Sequence, residues 1–211
     1  MKTIIFQEYK TTLLTLLHLF LSILPCSAQR AKYNFNGAWQ LHYPMQSIEH
    51  PGETRTVTLP RAWNEDYAYR VGIAQLPDDT CRYTKMFDVP TQWTGKRIFI
   101  EFEGARQAAV VTLNGKKVGS SQNGVMAFGF DLTPYIIYGG TNRIEVLTDN
   151  SWSYREQGDG TIGGGTPYQW NNKNFNMNMG GLPKNVWLHI TDNIYQTLPL
   201  MSNLGTTGVY I

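Results

Sequence analysis

The chain has 211 residues, of which 16% are charged and 13% are aromatic, and its formal net charge is +2. A charge this balanced excludes a strongly basic nucleic-acid binder, and it excludes an acidic tail as the main feature of the protein. The aromatic content excludes a mainly disordered chain, and 20 glycines with 10 prolines favour turns and β-strands over a helical bundle.

The first 28 residues have the pattern of a removable export signal. Lys2 and Lys10 precede the apolar run Leu13–Leu24, and Pro25 separates that run from the small residues Cys26–Ala28. The run is shorter than the roughly 20 residues of a membrane-spanning helix. A retained anchor and a lipoprotein acylated at Cys26 are the alternatives, although proline directly before the cysteine fits the second poorly. The pattern predicts a periplasmic or secreted protein.

Short β-prone runs alternate with glycine, proline and asparagine turns along the rest of the chain. The hairpin signal is strongest at Asn114-Gly115, because both positions of a type I′ turn need positive φ. No stretch after Arg30 has the pattern of an amphipathic helix of three turns. The sequence therefore predicts an all-β, antiparallel two-sheet sandwich or jelly roll. The predicted strands are Ala38–Tyr43, Arg55–Leu59, Arg82–Val89, Arg97–Glu103, Ala108–Leu113, Lys116–Ser120, Phe128–Leu132, Asn142–Thr148 and Val186–Thr191.

The segment from Ser151 to Gly181 interrupts this rhythm, because it is long and rich in glycine, asparagine and aromatic residues. A loop of this length inside a domain is usually functional or disordered, and its aromatic content argues against disorder. Aromatic faces stack on the C–H faces of sugars, and amides bind hydroxyls as donor and acceptor together. The alternative is a loop that covers the sandwich or docks on another domain. The candidate substrate-binding residues are Trp152, Trp170, Asn174, Asn176 and Asn178.

No set of residues in the sequence forms a convincing catalytic or metal-binding motif. His42, His50 and His189 lack the spacing of metal ligands, and Glu101 and Glu103 share a strand face as ordinary surface charge. Cleavage of the signal would leave Cys81 as the single cysteine, which we expect to be buried and inert. The sequence predicts no catalytic residue, no metal site and no cofactor.

Seven short segments of the chain have a characteristic order: Leu59–Asn64, Tyr83–Phe87, Phe99–Ala105, Val111–Gly119, Phe130–Thr133, Asn142–Val146 and Gly180–Leu188. In this order they resemble the N-terminal sugar-binding domain of glycoside hydrolase family 2. Two departures from the family pattern, Arg61-Ala62 in the first segment and Pro183–Asn185 in the last, leave the fold expectation intact and the substrate open.

The resemblance implies a galactose-binding-domain-like jelly roll within a larger retaining exo-glycosidase of the β-galactosidase type. The family's two catalytic glutamates lie in a later TIM barrel, so no residue of this chain inherits their roles. In some members the first domain reaches into the substrate pocket, and the corresponding stretch here is Asn174 to Asn178.

We therefore expect a signal peptide at 1–28, a jelly-roll domain at 29–192, and a linker with the start of an immunoglobulin-like domain at 193–211. The predicted function is that of a sugar-binding and scaffold domain in carbohydrate catabolism, truncated before the barrel and inactive alone. The alternative is a stand-alone carbohydrate-binding module. The expected partners are a β-galactoside or related glycoside and the missing domains, with no nucleic acid and no membrane after signal cleavage.

Overall fold

The computed structural model describes residues 30–72, 75–151, 178–197 and 200. Within these ranges the chain forms twelve β-strands, short 3-10 turns and no α-helix. In the same part of the chain, no helix is long and apolar enough to cross a membrane. The strands are β1 (Arg30–Asn34), β2 (Trp39–His42), β3 (Thr54–Val57), β4 (Arg61–Ala62), β5 (Thr80–Val89), β6 (Arg97–Phe102), β7 (Ala108–Leu113), β8 (Lys116–Ser121), β9 (Phe128–Asp131), β10 (Gly140–Asp149), β11 (Gly181–Leu182) and β12 (Val186–Thr191).

The strands form two main antiparallel sheets. One has four strands in the order β1-β12-β6-β9, and the other has six in the order β3-β2-β5-β10-β7-β8. The two longest strands, β5 and β10, pair over ten residues in the middle of the larger sheet, from Thr80 opposite Asp149 to Val89 opposite Gly140. At about 3.3 Å per residue, this pair spans roughly 30 Å and sets the length of the fold. The all-β antiparallel prediction is confirmed.

The core lies between these sheets and follows the two-residue period of the strands. Trp39 and Leu41 of β2 are fully buried, as are Ile98 and Ile100 of β6. In β12 the inward residues belong to the same cluster, whereas Trp187 and His189 lie on the other face. Burial of this apolar surface, at about 25 cal/mol per Å², is the main stabilising contribution.

The hairpin at Asn114-Gly115 joins β7 to β8 as predicted. Both residues have positive φ, 52° for Asn114 and 78° for Gly115, as a type I′ turn requires. The Asn114 amide also donates to Oδ1 of Asn142 at 2.8 Å, so the turn is tied to β10. Cys81 is buried as expected, and this burial raises the pKa of its thiol to about 12, which leaves it protonated at neutral pH.

Strands β4 and β11 form a separate two-stranded ribbon that positions one end of the sandwich. Gly181 lies opposite Ala62 in this ribbon, and the Tyr83 hydroxyl donates to the carbonyl oxygen of Arg61 at 2.6 Å. Gly181 has a φ of +103°, and a Cβ there would lie 2.1 Å from the Tyr83 hydroxyl. Only glycine fits this position, and the ribbon brings the return of the long segment against residues 61–64.

The ends of the chain lie mostly outside the described residues. Near the described C-terminus, Tyr195 packs on Phe99 with ring centroids 5.4 Å apart, and Arg30 donates to the carbonyl oxygen of Gln196 at 2.7 Å. The residues expected to form the signal, 1–28, and the final residues, 201–211, are not described. The predicted division into signal, domain and following domain stays a prediction.

Candidate functional site

Three buried asparagines lie where the long segment leaves and rejoins the sandwich. Asn64, Asn150 and Asn178 are 5%, 1% and 0% exposed, and we call them the asparagine clamp. The segment leaves after Ser151, and the described chain resumes at Asn178. Buried amides need hydrogen-bond partners, and each clamp amide finds them in backbone groups of another segment.

Asn64 connects both sides of the opening. Its Nδ2 donates to the carbonyl oxygens of Pro77 at 2.8 Å and of Asn178 at 3.0 Å. Its Oδ1 accepts from the backbone N–H of Gly180 at 2.9 Å. The Asn64 side chain therefore satisfies three backbone groups, which belong to Pro77, Asn178 and Gly180.

Asn150 makes the complementary set of bonds. Its Nδ2 donates to the Asn178 carbonyl oxygen at 2.8 Å, and its Oδ1 accepts from the Trp63 indole N–H at 3.1 Å and the Asp79 N–H at 3.3 Å. A Cβ on Gly180 would lie 2.3 Å from both the Asn150 Oδ1 and the Trp63 Nε1, so the backbone approaches closely here. The clamp holds the ends of the segment at a fixed separation.

Asn178 is the only predicted substrate-binding residue that the structure describes. Its Nδ2 donates to the Asn150 carbonyl oxygen at 2.5 Å, and its side chain has no exposed surface. Its part in the clamp is therefore structural, and a sugar contact by this side chain stays a prediction. The other four, Trp152, Trp170, Asn174 and Asn176, lie outside the described residues.

Two buried amide atoms near the clamp lack a hydrogen-bond partner among the described residues: Oδ1 of Asn178 and Nε2 of Gln107. Gln107 adjoins the clamp because its backbone N–H donates to the Asp149 carbonyl oxygen at 2.7 Å. An unpaired buried polar group costs about 1–3 kcal/mol.

Arg61, one of the departures from the family pattern, lies beside an open polar cleft of about 370 Å³. Its guanidinium donates to Oε1 of Glu65 at 2.7 Å and to the carboxylate of Asp66. Burial works against its charge, but the contacts with Tyr43, Glu65 and Asp66 raise the pKa of Arg61 above its usual value. These two hydrogen bonds tie the turn at 65–67 to β4. Because the two carboxylates already balance its charge, Arg61 is not a free site for an anion.

Glu49, His50 and Asp66 bring their ligand atoms within 4.8 Å of one another at the same cleft. Arginine contacts each of them: Arg70 lies 3.1 Å from Glu49, and Arg55 lies 2.8 Å from His50, while Asp66 pairs with Arg61. The two carboxylates therefore already accept hydrogen bonds from guanidinium groups. No sequence pattern predicts this cluster, which we assign as a network of charged contacts.

The carboxylates Glu101 and Glu103 lie on the outer face of the four-stranded sheet. Glu103 accepts the Trp187 indole N–H at 2.8 Å, and this hydrogen bond is the main reason that the pKa of Glu103 is lowered. Glu101 lies 2.6 Å from Nε2 of His189, whose Nδ1 is buried with no partner among the described groups. Burial lowers the pKa of His189, although Glu101 works in the opposite direction. These contacts tie β6 to β12.

The sequence and the fold match known proteins over most of the chain. A family model for the sugar-binding domain of glycosyl hydrolases family 2 matches residues 33–189. A β-glucuronidase of Formosa agariphila is 34% identical over 199 residues, which are 88% of this chain and 20% of that enzyme. A β-galactosidase of Thermoanaerobacter pseudethanolicus is 36% identical over 114 residues, which are 54% of this chain and 14% of that enzyme. A solved β-glucuronidase structure from glycoside hydrolase family 2 aligns with a TM-score of 0.69 at 34% identity, over 89% of this chain and 20% of that one.

Replacing the central clamp residue tests its structural importance. We expect Asn150→Ala to lower the free energy of unfolding by about 2–4 kcal/mol, because it leaves the buried Trp63 indole and the Asp79 N–H without an acceptor. Urea unfolding followed by tryptophan fluorescence measures this. The matched control is Asn123→Ala, which removes an exposed asparagine that caps only its own turn; its cost should stay below about 1 kcal/mol. Equal costs for the two variants would contradict the clamp.

His189, on the outer face of the four-stranded sheet, should make the stability of the protein depend on pH. The folded protein keeps His189 neutral below the usual pKa of 6.5, whereas the unfolded chain takes up a proton there. The unfolded state then binds more protons, so the free energy of unfolding should fall as the pH is lowered from 7.5 towards 5. His189→Gln should make the free energy of unfolding fall less steeply over this pH range. Part of the fall should remain in the variant, because burial also lowers the pKa of His42. An unchanged pH profile in the variant, measured by urea unfolding, would refute this assignment.

Proposed function

Since this chain belongs to the family of sugar-binding domains of the family 2 glycosyl hydrolases, we propose that it is the sugar-binding and scaffold domain of a longer, exported, retaining exo-β-glycosidase. The observation that carries the proposal is the asparagine clamp. It fixes both ends of a segment rich in aromatic and amide side chains at one end of a rigid sandwich. Sites carried by loops on a rigid scaffold are a common arrangement for ligand binding.

The proposed ligand is a β-linked pyranoside of the glucuronide or galactoside type. The β-galactoside was the expectation from sequence, and the two curated relatives described above are named β-glucuronidase and β-galactosidase. Aromatic faces and amides in the clamped segment suit the C–H faces and hydroxyls that both sugars share. Discrimination between them needs groups that contact the carboxylate or the 6-hydroxyl.

The topology, the export and the partner domains in this proposal are each supported by a separate observation. The strand order supports a jelly-roll topology of the galactose-binding-domain type. The lysines, apolar run and small residues before Gln29 support a signal peptide and a periplasmic or secreted location. The relatives are several times longer than the part that matches this chain, which supports further immunoglobulin-like and barrel domains as its partners. A stand-alone carbohydrate-binding module remains the alternative prediction.

Hydrolysis should depend on residues that the described part of this chain does not provide. A retaining glycosidase needs two carboxyl groups about 5 Å apart, one as acid and one as nucleophile. In the described ranges, Glu49 and Asp66 come close together, but arginines already occupy both. Within the described ranges, this close pair is therefore not free to act as acid and nucleophile.

The purified chain should therefore bind a glycoside without hydrolysing it. We expect no turnover of chromogenic β-glucuronide or β-galactoside, because rate gains of about 10⁶ or more need the catalytic carboxylates. Tryptophan fluorescence should show saturable binding of methyl β-glucuronide or methyl β-galactoside at about 1 mM, equal to about −4 kcal/mol. Alanine at Trp152 and Trp170 should weaken the binding of methyl β-glucuronide. Measurable turnover would overturn the non-catalytic assignment, and glucuronide binding unchanged in the double variant would overturn the assignment of the segment.

A further inference from the structure

A second cleft lies far from the clamp, at the open edge of the four-stranded sheet. It has a volume of about 160 Å³ and is lined by Ala31, Tyr33, Trp93, Lys96 and Ile190. In the larger sheet, β5 begins at Thr80, next to the clamp, and ends at Val89, four residues before Trp93. The cleft is therefore at the opposite end of β5, a distance of roughly 30 Å along the strand.

Two aromatic side chains form a wall of this cleft. The Tyr33 and Trp93 ring centroids are 5.5 Å apart, and the planes are inclined at 37°. Tyr33 is 45% exposed although it is a large side chain on an edge strand. Because the exposed ring of Tyr33 lies beside the cleft, it is available to stack on a ligand there.

The position of Trp93 is fixed by local backbone structure. Pro90 precedes a 3-10 turn at Thr91–Trp93, in which the Trp93 N–H donates to the Pro90 carbonyl oxygen at 3.0 Å. The Trp93 carbonyl oxygen in turn accepts the Lys96 N–H at 2.9 Å. The ring is also packed against the core. The aromatic wall is therefore pre-organised, so little ordering entropy is lost when a ligand binds.

The charged residue that lines the cleft is Lys96, and its charge is balanced by a neighbouring carboxylate. Lys96 Nζ donates to Oδ1 of Asp192, and the Lys96 side chain is 34% exposed. Its ammonium group has three donors, so it can also donate to a ligand beside the apolar surface of Ala31 and Ile190. Because the pair carries no net charge, the cleft favours a neutral ligand over an anion.

We propose that this cleft is a second carbohydrate subsite, which binds the apolar face of a neutral hexopyranoside. The sugar C–H face lies against Tyr33 and Trp93, and a sugar hydroxyl accepts a hydrogen bond from Lys96. The choice of a sugar rests on the proposed function, but the location and the neutral charge come from the cleft itself. With one subsite at each end of the sandwich, the domain would bind one saccharide at the clamped segment and a second saccharide at this cleft.

The test uses the chain with alanine at both Trp152 and Trp170, so that the clamped segment does not contribute. The probes are methyl β-galactoside, methyl β-glucoside and methyl β-glucuronide, followed by saturation-transfer NMR and titration calorimetry. We expect a neutral probe to bind with a dissociation constant of about 1 mM. Tyr33→Ala should weaken this binding at least about fivefold, which corresponds to about 1 kcal/mol. Tyr33→Phe should preserve it.

The matched control is Tyr69→Ala, which removes another exposed tyrosine, 86% exposed, outside the cleft. It should leave binding unchanged, and circular dichroism should show that all variants are folded. The proposal is overturned if no neutral probe binds in the background variant, if only the glucuronide binds, or if Tyr33→Ala and Tyr69→Ala bind alike. These outcomes are independent of sugar binding by the clamped segment, because the background variant removes that segment's tryptophans.

Discussion

The hydrogen bonds of three buried asparagine amides hold one end of this sandwich closed. Core packing joins the two sheets, but it cannot satisfy the backbone groups where the chain leaves β10 and returns to β11. Asn64 and Asn150 supply the missing donors and acceptors, and Asn178 bonds back to Asn150. Without these amides, several buried polar groups would be left unpaired at once, at about 1–3 kcal/mol each. The clamp is therefore what allows a long insertion at this end of the fold.

The central β5–β10 pair separates two chemically different ends. At the Thr80 end lie the clamp and the segment rich in tryptophan and asparagine, and near the Val89 end lies the cleft of Tyr33 and Trp93. Near the clamp, Glu49 and Asp66 contact arginine side chains, and near the cleft Asp192 pairs with Lys96. These contacts support the proposed role of a sugar-binding and scaffold domain.

Local patterns predicted most of the fold. Asn114-Gly115 predicts its hairpin because the positive φ values of a type I′ turn are a property of those two residues. The alternation in β12 predicts which side chains face the core, but it does not predict that His189 and Thr191 on the other face are buried as well. The short strands β4 and β11 were missed, because a two-residue strand has no period to detect. The clamp was missed for a related reason: Asn64 and Asn178 are 114 residues apart, and no local pattern links them. The residue type of Asn178 predicts a polar contact, but its burial depends on long-range packing that a sequence pattern does not contain.

Hydrogen–deuterium exchange of the complete chain, with and without saturating methyl β-galactoside or methyl β-glucuronide, tests the central claim most directly. If the clamp presents a sugar-binding segment, the ligand should slow amide exchange in peptides covering residues 152–180, which end at the clamp. Exchange in the central strands β5 and β10 should stay the same, because the sandwich is already formed. Slower exchange confined to other surfaces, or none anywhere with either sugar, would contradict the account.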